Sequence, residues 1–493
     1  MNQQVGSAEQ SGGGSAPLSV TGPLPTRIKL ANGIGAVAFG VKDNGFAVFL
    51  LIYYNQVLGM GAATVSLALM LALLIDAFID PLLGNLSDRT YTRWGRRLPW
   101  LYAAALPLAV MWAVLWSPPL GEEPSFWGLL AIAVSVRLLL SMVEVPSVAL
   151  VPELTRDYDE RTNLFRWRFL FAWAGGLGML VLAYQVFLAD GLLEEDGYRQ
   201  FGLFGAALMA VAIVTSAAML HRTVAHLPEQ KPPPFSLGHA FAEIREAFSE
   251  RAFLVLAAGG VAAYTSQGIT FALSNYLYLF VWEFSPETFM AYPFVLFASV
   301  VAVFLTVQPL HRRFGKPRTA GFMALVGLVF WLTPYALYLL DVWPPIGTDA
   351  SSALVFSFLF VSNWAAVITL LSSSSMVAEI VEAFEERTGR RAEGSFYAGN
   401  WFIQKCAGGI GIFAAGMILA AAGLPEGAEP GEVAGGVVEA LILIYGVVIL
   451  LCALITSYWY WRFPIGREDH ERRLAALAAA AARTPSGTGT TTP

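Results

Sequence analysis

Apolar runs long enough to cross a membrane recur twelve times along the chain, separated by polar breaks. A bilayer-spanning helix needs about 20 predominantly apolar residues. Runs of that kind lie near 30–54, 62–86, 98–117, 125–150, 167–190 and 200–221, and again near 253–281, 288–311, 318–340, 352–378, 395–422 and 433–462. They predict an all-α membrane protein with twelve transmembrane helices. The longest internal polar connection, 222–252, contains Lys231-Pro232-Pro233-Pro234 and divides the chain into two six-helix halves, 26–221 and 253–463. Residues 1–25 are rich in Gly, Ser, Gln and Pro and lack the charged and apolar regions of a signal peptide. They read as a disordered tail, leaving the first span as an uncleaved insertion signal. Residues 464–493 form a second tail, Arg/Ala-rich and then Thr/Gly/Pro-rich.

A weak internal repeat supports two pseudo-symmetric halves. Trp94-Gly95-Arg96-Arg97 follows the second run, and Phe314-Gly315-Lys316-Pro317-Arg318 follows the eighth. Both read as tight turns in which Gly supplies backbone freedom and the cations stay on one side of the membrane.

Composition agrees with the pattern. Of 493 residues, 56% are hydrophobic and 13% charged, about half the charge of a soluble domain. The two cysteines, Cys406 and Cys452, lie in apolar runs and read as small core residues. A net charge of −6 argues against nucleic acid as a partner. All five histidines fall in polar connections, so no span offers a haem or zinc ligand, and no nucleophile–base pair can be assembled within the membrane. The chain also lacks a GxxxxGK[ST] phosphate loop. It reads as a non-enzyme that needs no cofactor.

The basic residues set an orientation. Of 30 Lys and Arg, 26 fall in the tails or in connections on the side of the tails; only Arg199 falls in an opposite-side loop, and Lys42, Arg137 and Lys405 lie within spans. Cytoplasmic loops carry the excess of Lys and Arg. This places both termini in the cytoplasm and the chain in the plasma or inner membrane; a monomer is the expected state.

Charges inside the spans carry the functional signal, because each costs about 2.5–3.5 kcal/mol at mid-membrane. The set is Lys42 and Asp43 in span 1, Asp76 and Asp80 in span 2, Arg137 and Glu144 in span 4, and Lys405 in span 11. Asp76 and Asp80 are four residues apart and project from one face, just before Pro81. With Glu144 and Ser141 they make an oxygen cage for a coupling cation, sodium or proton; if sodium, Asp76, Asp80 and Glu144 are its carboxylate ligands. The competing reading is a structural ion-pair network with Lys42, Arg137 and Lys405. The set sums to −1, which one monovalent cation neutralises; Arg168, at the edge of span 5, brings it to zero if it turns inward. Asp43 suits substrate hydroxyls, with Arg168 as a forked donor beside it. Arg137 lies on the face of Glu144 and suits a salt bridge. Polar and aromatic residues of the second half, among them Asn275, Trp364, Trp401 and Asn400, are further candidates to line a cavity, against simple packing.

At these residues the chain resembles the glycoside–pentoside–hexuronide:cation symporters, the melibiose-permease type of the major facilitator superfamily. The resemblance rests on Gly40-Val41-Lys42-Asp43 with Tyr53-Tyr54; Asp76 through Pro81 continuing to Ser87-Asp88-Arg89 and Arg93 through Arg97; Glu144-Val145-Pro146; Arg168 through Gly176; Ala378 through Glu382, with Arg387 through Glu393-Gly394, in the tenth-to-eleventh loop; and Lys405. It implies a twelve-helix major facilitator fold working by alternating access. It further implies cation binding at Asp76, Asp80, Glu144 and Ser141. Substrate contact would fall to Asp43, Glu144 and Arg168, with Lys42 nearby, and Lys405 would link the halves with Arg137. Two departures stand out. Glu144 replaces the Asp of sugar-specific members, and Val148 replaces their sugar-stacking Trp. The expected activity is symport of a small organic solute, a sugar or glycoside, with a monovalent cation. The alternatives are a lipid-like or amphiphilic solute, or a transport-inactive sensor or scaffold.

Overall fold

The computed structural model describes residues 23–119, 125–155, 157–225, 245–389 and 392–465. Most of both expected tails and the centre of the 222–252 connection, including Lys231–Pro234, lie outside the described residues.

Among the described residues, twelve helices are long and apolar enough to cross a membrane, and there is no strand. They are α1 (Thr26–Val57), α2 (Ala62–Asp88), α3 (Leu98–Leu115), α4 (Phe126–Leu154), α5 (Asp159–Phe187), α6 (Glu195–Val224), α7 (Arg251–Val281), α8 (Pro286–Phe314), α9 (Lys316–Leu339), α10 (Asp349–Thr388), α11 (Glu393–Ala422) and α12 (Gly435–Trp461). A helix satisfies every backbone group within itself, as a bilayer demands. Side-chain caps start several of them. Ser125, Ser285 and Thr348 accept hydrogen bonds from the backbone N–H of Gly128, Thr288 and Ser351. α2 continues unbroken through Pro81 to Asp88.

Two helices depart from the hydropathy pattern. α5 begins at its N-cap Asp157, which accepts from Glu160 N–H, well before the apolar run. The early turns are pinned to the first span: Glu160 accepts from Lys29 Nζ at 3.1 Å and from Leu24 N–H at 3.0 Å. α10 extends to Thr388 and ends at Gly389 in the left-handed conformation. The segment Ala378 through Glu382, expected in a loop, is therefore helical. Its apolar side explains this: Val377, Ile380, Val381 and Phe384 bury against Phe253 and Phe396 in a separate core of the second half.

The repeat seen in sequence has a structural counterpart. Gly95 and Gly315 both adopt positive φ, +82° and +77°, where a side chain is disfavoured. After each glycine a base binds an acid on the next helix but one or its equivalent. Arg97 Nε donates to Glu153 of α4 at 3.0 Å, and Lys316 lies 3.0 Å from Glu379 of α10.

The halves meet most tightly at the end of the bundle opposite the termini. Tyr276 of α7 donates to Asn55 Oδ1 of α1 at 2.9 Å and to Leu51 O at 3.2 Å. Asn275 Nδ2 donates to Val48 O at 3.2 Å, and its Oδ1 accepts from Tyr184 of α5 at 2.6 Å. Gln56 bonds both Pro425 O and Ala428 N–H beyond α11. Asn55, Gln56, Asn275 and Tyr276 are all buried. The C-terminal turns of α1, α5 and α7 widen into π-helix at this seal, over Tyr53–Val57, Ala183–Phe187 and Leu277–Val281. Asn275, expected along a cavity, is thus part of the closure.

Candidate functional site

α2, α4 and α11 bring the intramembrane charges together half-way through the bundle. Asp76 is buried and saturated with donors. Its Oδ2 accepts from Arg137 Nε at 3.1 Å, Arg137 Nη2 at 2.9 Å and Lys405 Nζ at 2.8 Å, and its Oδ1 accepts from Ser141 Oγ at 2.7 Å. Helical spacing explains the convergence. Arg137 and Ser141 are one turn apart on α4, as Asp76 and Asp80 are on α2. Lys405 also donates to Asp80 Oδ2, so one ammonium from the second half spans both carboxylates of the first. Asp80 Oδ1 is enclosed without a hydrogen-bond donor. The Arg137 guanidinium lies 5.2 Å from the centre of the Phe46 ring, which covers it on the α1 side.

A second group lies between α1 and α4. Lys42 Nζ is 2.8 Å from Asp43 Oδ1 and 3.9 Å from Glu144 Oε2. The Asp43 side chain is 69% exposed and that of Glu144 is 37% exposed. Charged groups so open in the middle of spans face a water-accessible cavity, not packed protein.

Arg168 of α5 turns inward and is buried. Its Nη2 donates to Ser147 Oγ at 3.1 Å, and its Nη1 lies 3.4 Å from both Asn32 Oδ1 and Ser147 O. Phe39 sits against it, 5.6 Å from the guanidinium to the ring centre. With Arg168 counted, the intramembrane set holds four bases and four acids. Its sum is zero, not −1.

Several expected sites are rearranged. Asp76, Asp80 and Ser141 converge, but Glu144 turns to Lys42, and among the described residues no group of three His, Cys, Asp or Glu forms a metal ligand set. In this conformation the bases take the place a cation would fill, since carboxylates in a low dielectric pair with whatever positive charge is within reach. Lys405 does cross between the halves, whereas among the described residues the ion pair of Arg137 is with Asp76 of its own half. Trp364 is committed to packing: its Nε1 donates to Thr306 Oγ1 at 2.8 Å, and its ring covers the small cluster of Val303, Met323 and Ile368. Trp401 is 52% exposed and lies one turn before Lys405, on the same face.

Sequence reading passed over Asn32 and Ser147. Helical spacing held the signal. Asn32 lies 11 residues before Asp43, and Ser147 lies three after Glu144, so each shares a face with a charged site residue.

A family model described as MFS/sugar transport protein matches residues 31–467. The chain belongs to this family. Its members are membrane transporters of the major facilitator superfamily, not enzymes, and the twelve apolar helices make this chain a multi-pass membrane protein of that kind. A symporter of Synechocystis sp. is 27% identical over 473 residues, covering 80% of this chain and 85% of the relative. The inner membrane symporter YicJ of Escherichia coli is 24% identical over 440 residues, covering 88% and 90%. Among solved structures, a D-xylose-proton symporter superposes with a TM-score of 0.61 at 13% identity, covering 90% of this chain and 98% of the other. That likeness is one of fold.

Proposed function

We propose that this chain is a cation-coupled symporter that carries a sugar or glycoside through its central cavity by alternating access, in the inner membrane with both termini cytoplasmic. One observation carries the reading: Lys405 of the second half rests on Asp76 and Asp80 of the first. A coupling site needs negative charge whose partner changes as the halves move. A tethered ammonium at their interface provides that exchange. When a cation binds to the aspartates, it competes with Lys405 and loosens one tie between the halves. Asp43 and Glu144, open to the cavity and paired with Lys42, are positioned to accept substrate hydroxyls.

The distribution of bases supports a cytoplasmic location for the terminus end. The Tyr276–Asn55 and Tyr184–Asn275 bonds then lie on the outer side, which corresponds to an inward-open state. The family model's description and the symporter names of the relatives support the sugar and cation assignments.

The test is uptake by the purified protein in proteoliposomes, driven separately by a sodium gradient and a pH gradient, across a panel of sugars and glycosides. Accumulation against a concentration gradient under either ion supports the proposal and names the ion. Facilitated equilibration with no ion dependence overturns it.

A further inference from the structure

We infer that the groove between α9 and α12, at the terminus end of the bundle, holds one anionic phospholipid. Its phosphate meets Arg318 and Arg462, an ester carbonyl accepts from Ser457, and an acyl chain starts against Leu325 and Leu454. The site faces the bilayer and is independent of the solute carried.

The groove encloses about 550 Å³ and is lined by Leu325 of α9 and by Leu454, Ile455, Ser457, Tyr458 and Trp461 of α12. Gly321 shapes it. A Cβ there would meet Trp461 Cδ1 and Nε1 at 2.6 Å, so the missing side chain lets the indole reach across to α9. Ser457 is buried, at 2% exposure, yet its Oγ has no hydrogen-bond partner. Other serines within spans bond back to the carbonyl four residues earlier, as Ser135 does to Ala131 at 2.7 Å and Ser357 to Ala353 at 2.8 Å. Buried hydroxyls are mostly paired. An unpaired one on the wall of a groove calls for an acceptor from outside the chain.

The mouth of the groove is basic. Tyr458 and Arg462 are one turn apart on α12, and the guanidinium lies 4.4 Å from the centre of the Tyr458 ring. Arg318 is exposed and lies two turns from Leu325 on the same face of α9. Among the described residues neither arginine pairs with an acid, whereas Lys316 beside them is held by Glu379 at 3.0 Å. α9 begins and α12 ends at this level. Their dipoles therefore oppose one another, and the two arginines set the sign.

Depth decides between a lipid and a free anion. Ser457 lies five residues before Arg462, about 7.5 Å along the helix axis. The polar layer on each side of the hydrocarbon core is about 5–7.5 Å thick. A phospholipid with its phosphate at the arginines thus has its glycerol esters level with Ser457. Its chains begin one turn deeper, at Leu454. A free phosphate would leave the hydroxyl and the apolar wall uncovered. A zwitterionic headgroup would bring its own ammonium against the arginines, so a net negative headgroup is favoured.

The experiment titrates the full-length protein, delipidated in detergent, with phosphatidylglycerol, phosphatidylcholine or glycerol 3-phosphate. Native mass spectrometry reads the first adduct, and thermal unfolding is followed in the same mixtures. The first phosphatidylglycerol adduct should be at least about tenfold tighter than that of phosphatidylcholine and should raise the unfolding temperature. Glycerol 3-phosphate should do neither. Arg318→Gln with Arg462→Gln should abolish the preference while sparing phosphatidylcholine. Arg318→Lys with Arg462→Lys should keep it, which guards against a misfolded Gln variant. Ser457→Ala should weaken both lipids alike, by about 2- to 13-fold, the worth of one hydrogen bond. Equal affinity for the two lipids, an undiminished first adduct in the Gln or the Ala variant, or stabilisation by glycerol 3-phosphate alone overturns the inference. So does a dimer whose formation excludes the adduct, since a second copy would then be the occupant.

Discussion

Lys405 Nζ lies 2.8 Å from Asp76 Oδ2, joining α11 of the second half to α2 of the first at mid-membrane. The same oxygen accepts two bonds from Arg137. One carboxylate thus serves an intra-half and an inter-half cation together, and the two roles can be separated by mutation.

Asp76→Asn removes the negative charge that both bases share. Arg137, buried against Phe46, keeps no carboxylate, and breaking a buried pair this way costs about 3–5 kcal/mol. Thermal unfolding in detergent should fall, and ion-driven accumulation should be lost. Adding Arg137→Gln to Asp76→Asn should recover much of the stability and none of the coupled uptake. Recovery of both would assign Asp76 a purely structural role.

Lys405→Gln tests the competition directly. With the ammonium removed, Asp76 keeps Arg137 and Ser141, but Asp80 loses the cation bound at its Oδ2. The pair then presents unneutralised charge to external cations. Coupling-ion stabilisation, read as the ion-dependent rise in unfolding temperature, should increase relative to the parent protein, while accumulation falls at least about tenfold, a loss of about 1.4 kcal/mol or more. Unchanged ion-dependent stabilisation would mean that Lys405 and the ion do not share a site.

Much of this site was legible because hydrocarbon makes charge rare. Asp76, Asp80, Arg137, Glu144 and Lys405 stand out against their spans, and spacing alone placed Asp76 with Asp80 and Arg137 on the face of Glu144. The partner of each charge was harder to read. Glu144 lies one turn along α4 from Ser141 and is also within reach of Lys42 on α1, and only tertiary geometry decides between them. Arg168 stood at the edge of an apolar run, where a side chain of that length points either way. The outer seal was hidden for another reason. Tyr184, Asn275 and Tyr276 are uncharged, and their polar atoms are useful only to a helix contributed by the opposite half. The fold had the same division. The spans followed hydropathy, while the last turns of α10 followed an apolar stripe too narrow to raise it.

The glycine turns of the two halves should respond alike. Gly315 has φ +77° and ψ 159°, a region almost closed to residues with a side chain and costing about 1–3 kcal/mol when forced. Gly95 has φ +82°. Gly95→Ala and Gly315→Ala should each lower the unfolding temperature, and the double variant should show additive loss, since the turns belong to different halves. A large effect at one turn and none at the other would remove the structural equivalence of the repeat.

The seal opposite the termini should set the resting state. Tyr276→Phe removes a donor from Asn55 Oδ1 and Leu51 O without opening a cavity; Asn55 Oδ1 keeps the Gln56 Nε2 donor, so the sealed state alone loses the net worth of one hydrogen bond, about 0.5–1.5 kcal/mol. In the open state water reaches the same groups, so the cost there is near zero. The equilibrium should therefore move toward opening at that end by about 2- to 13-fold. Spin labels at Leu58 and Leu424, on the two halves beside the seal, report the change as a longer distance population in double electron–electron resonance. Asn275→Ala should act in the same direction, because it leaves Tyr184 without its acceptor and Val48 O without its donor. An unchanged distance distribution in both variants would mean that these bonds follow the closure of the bundle and do not hold it.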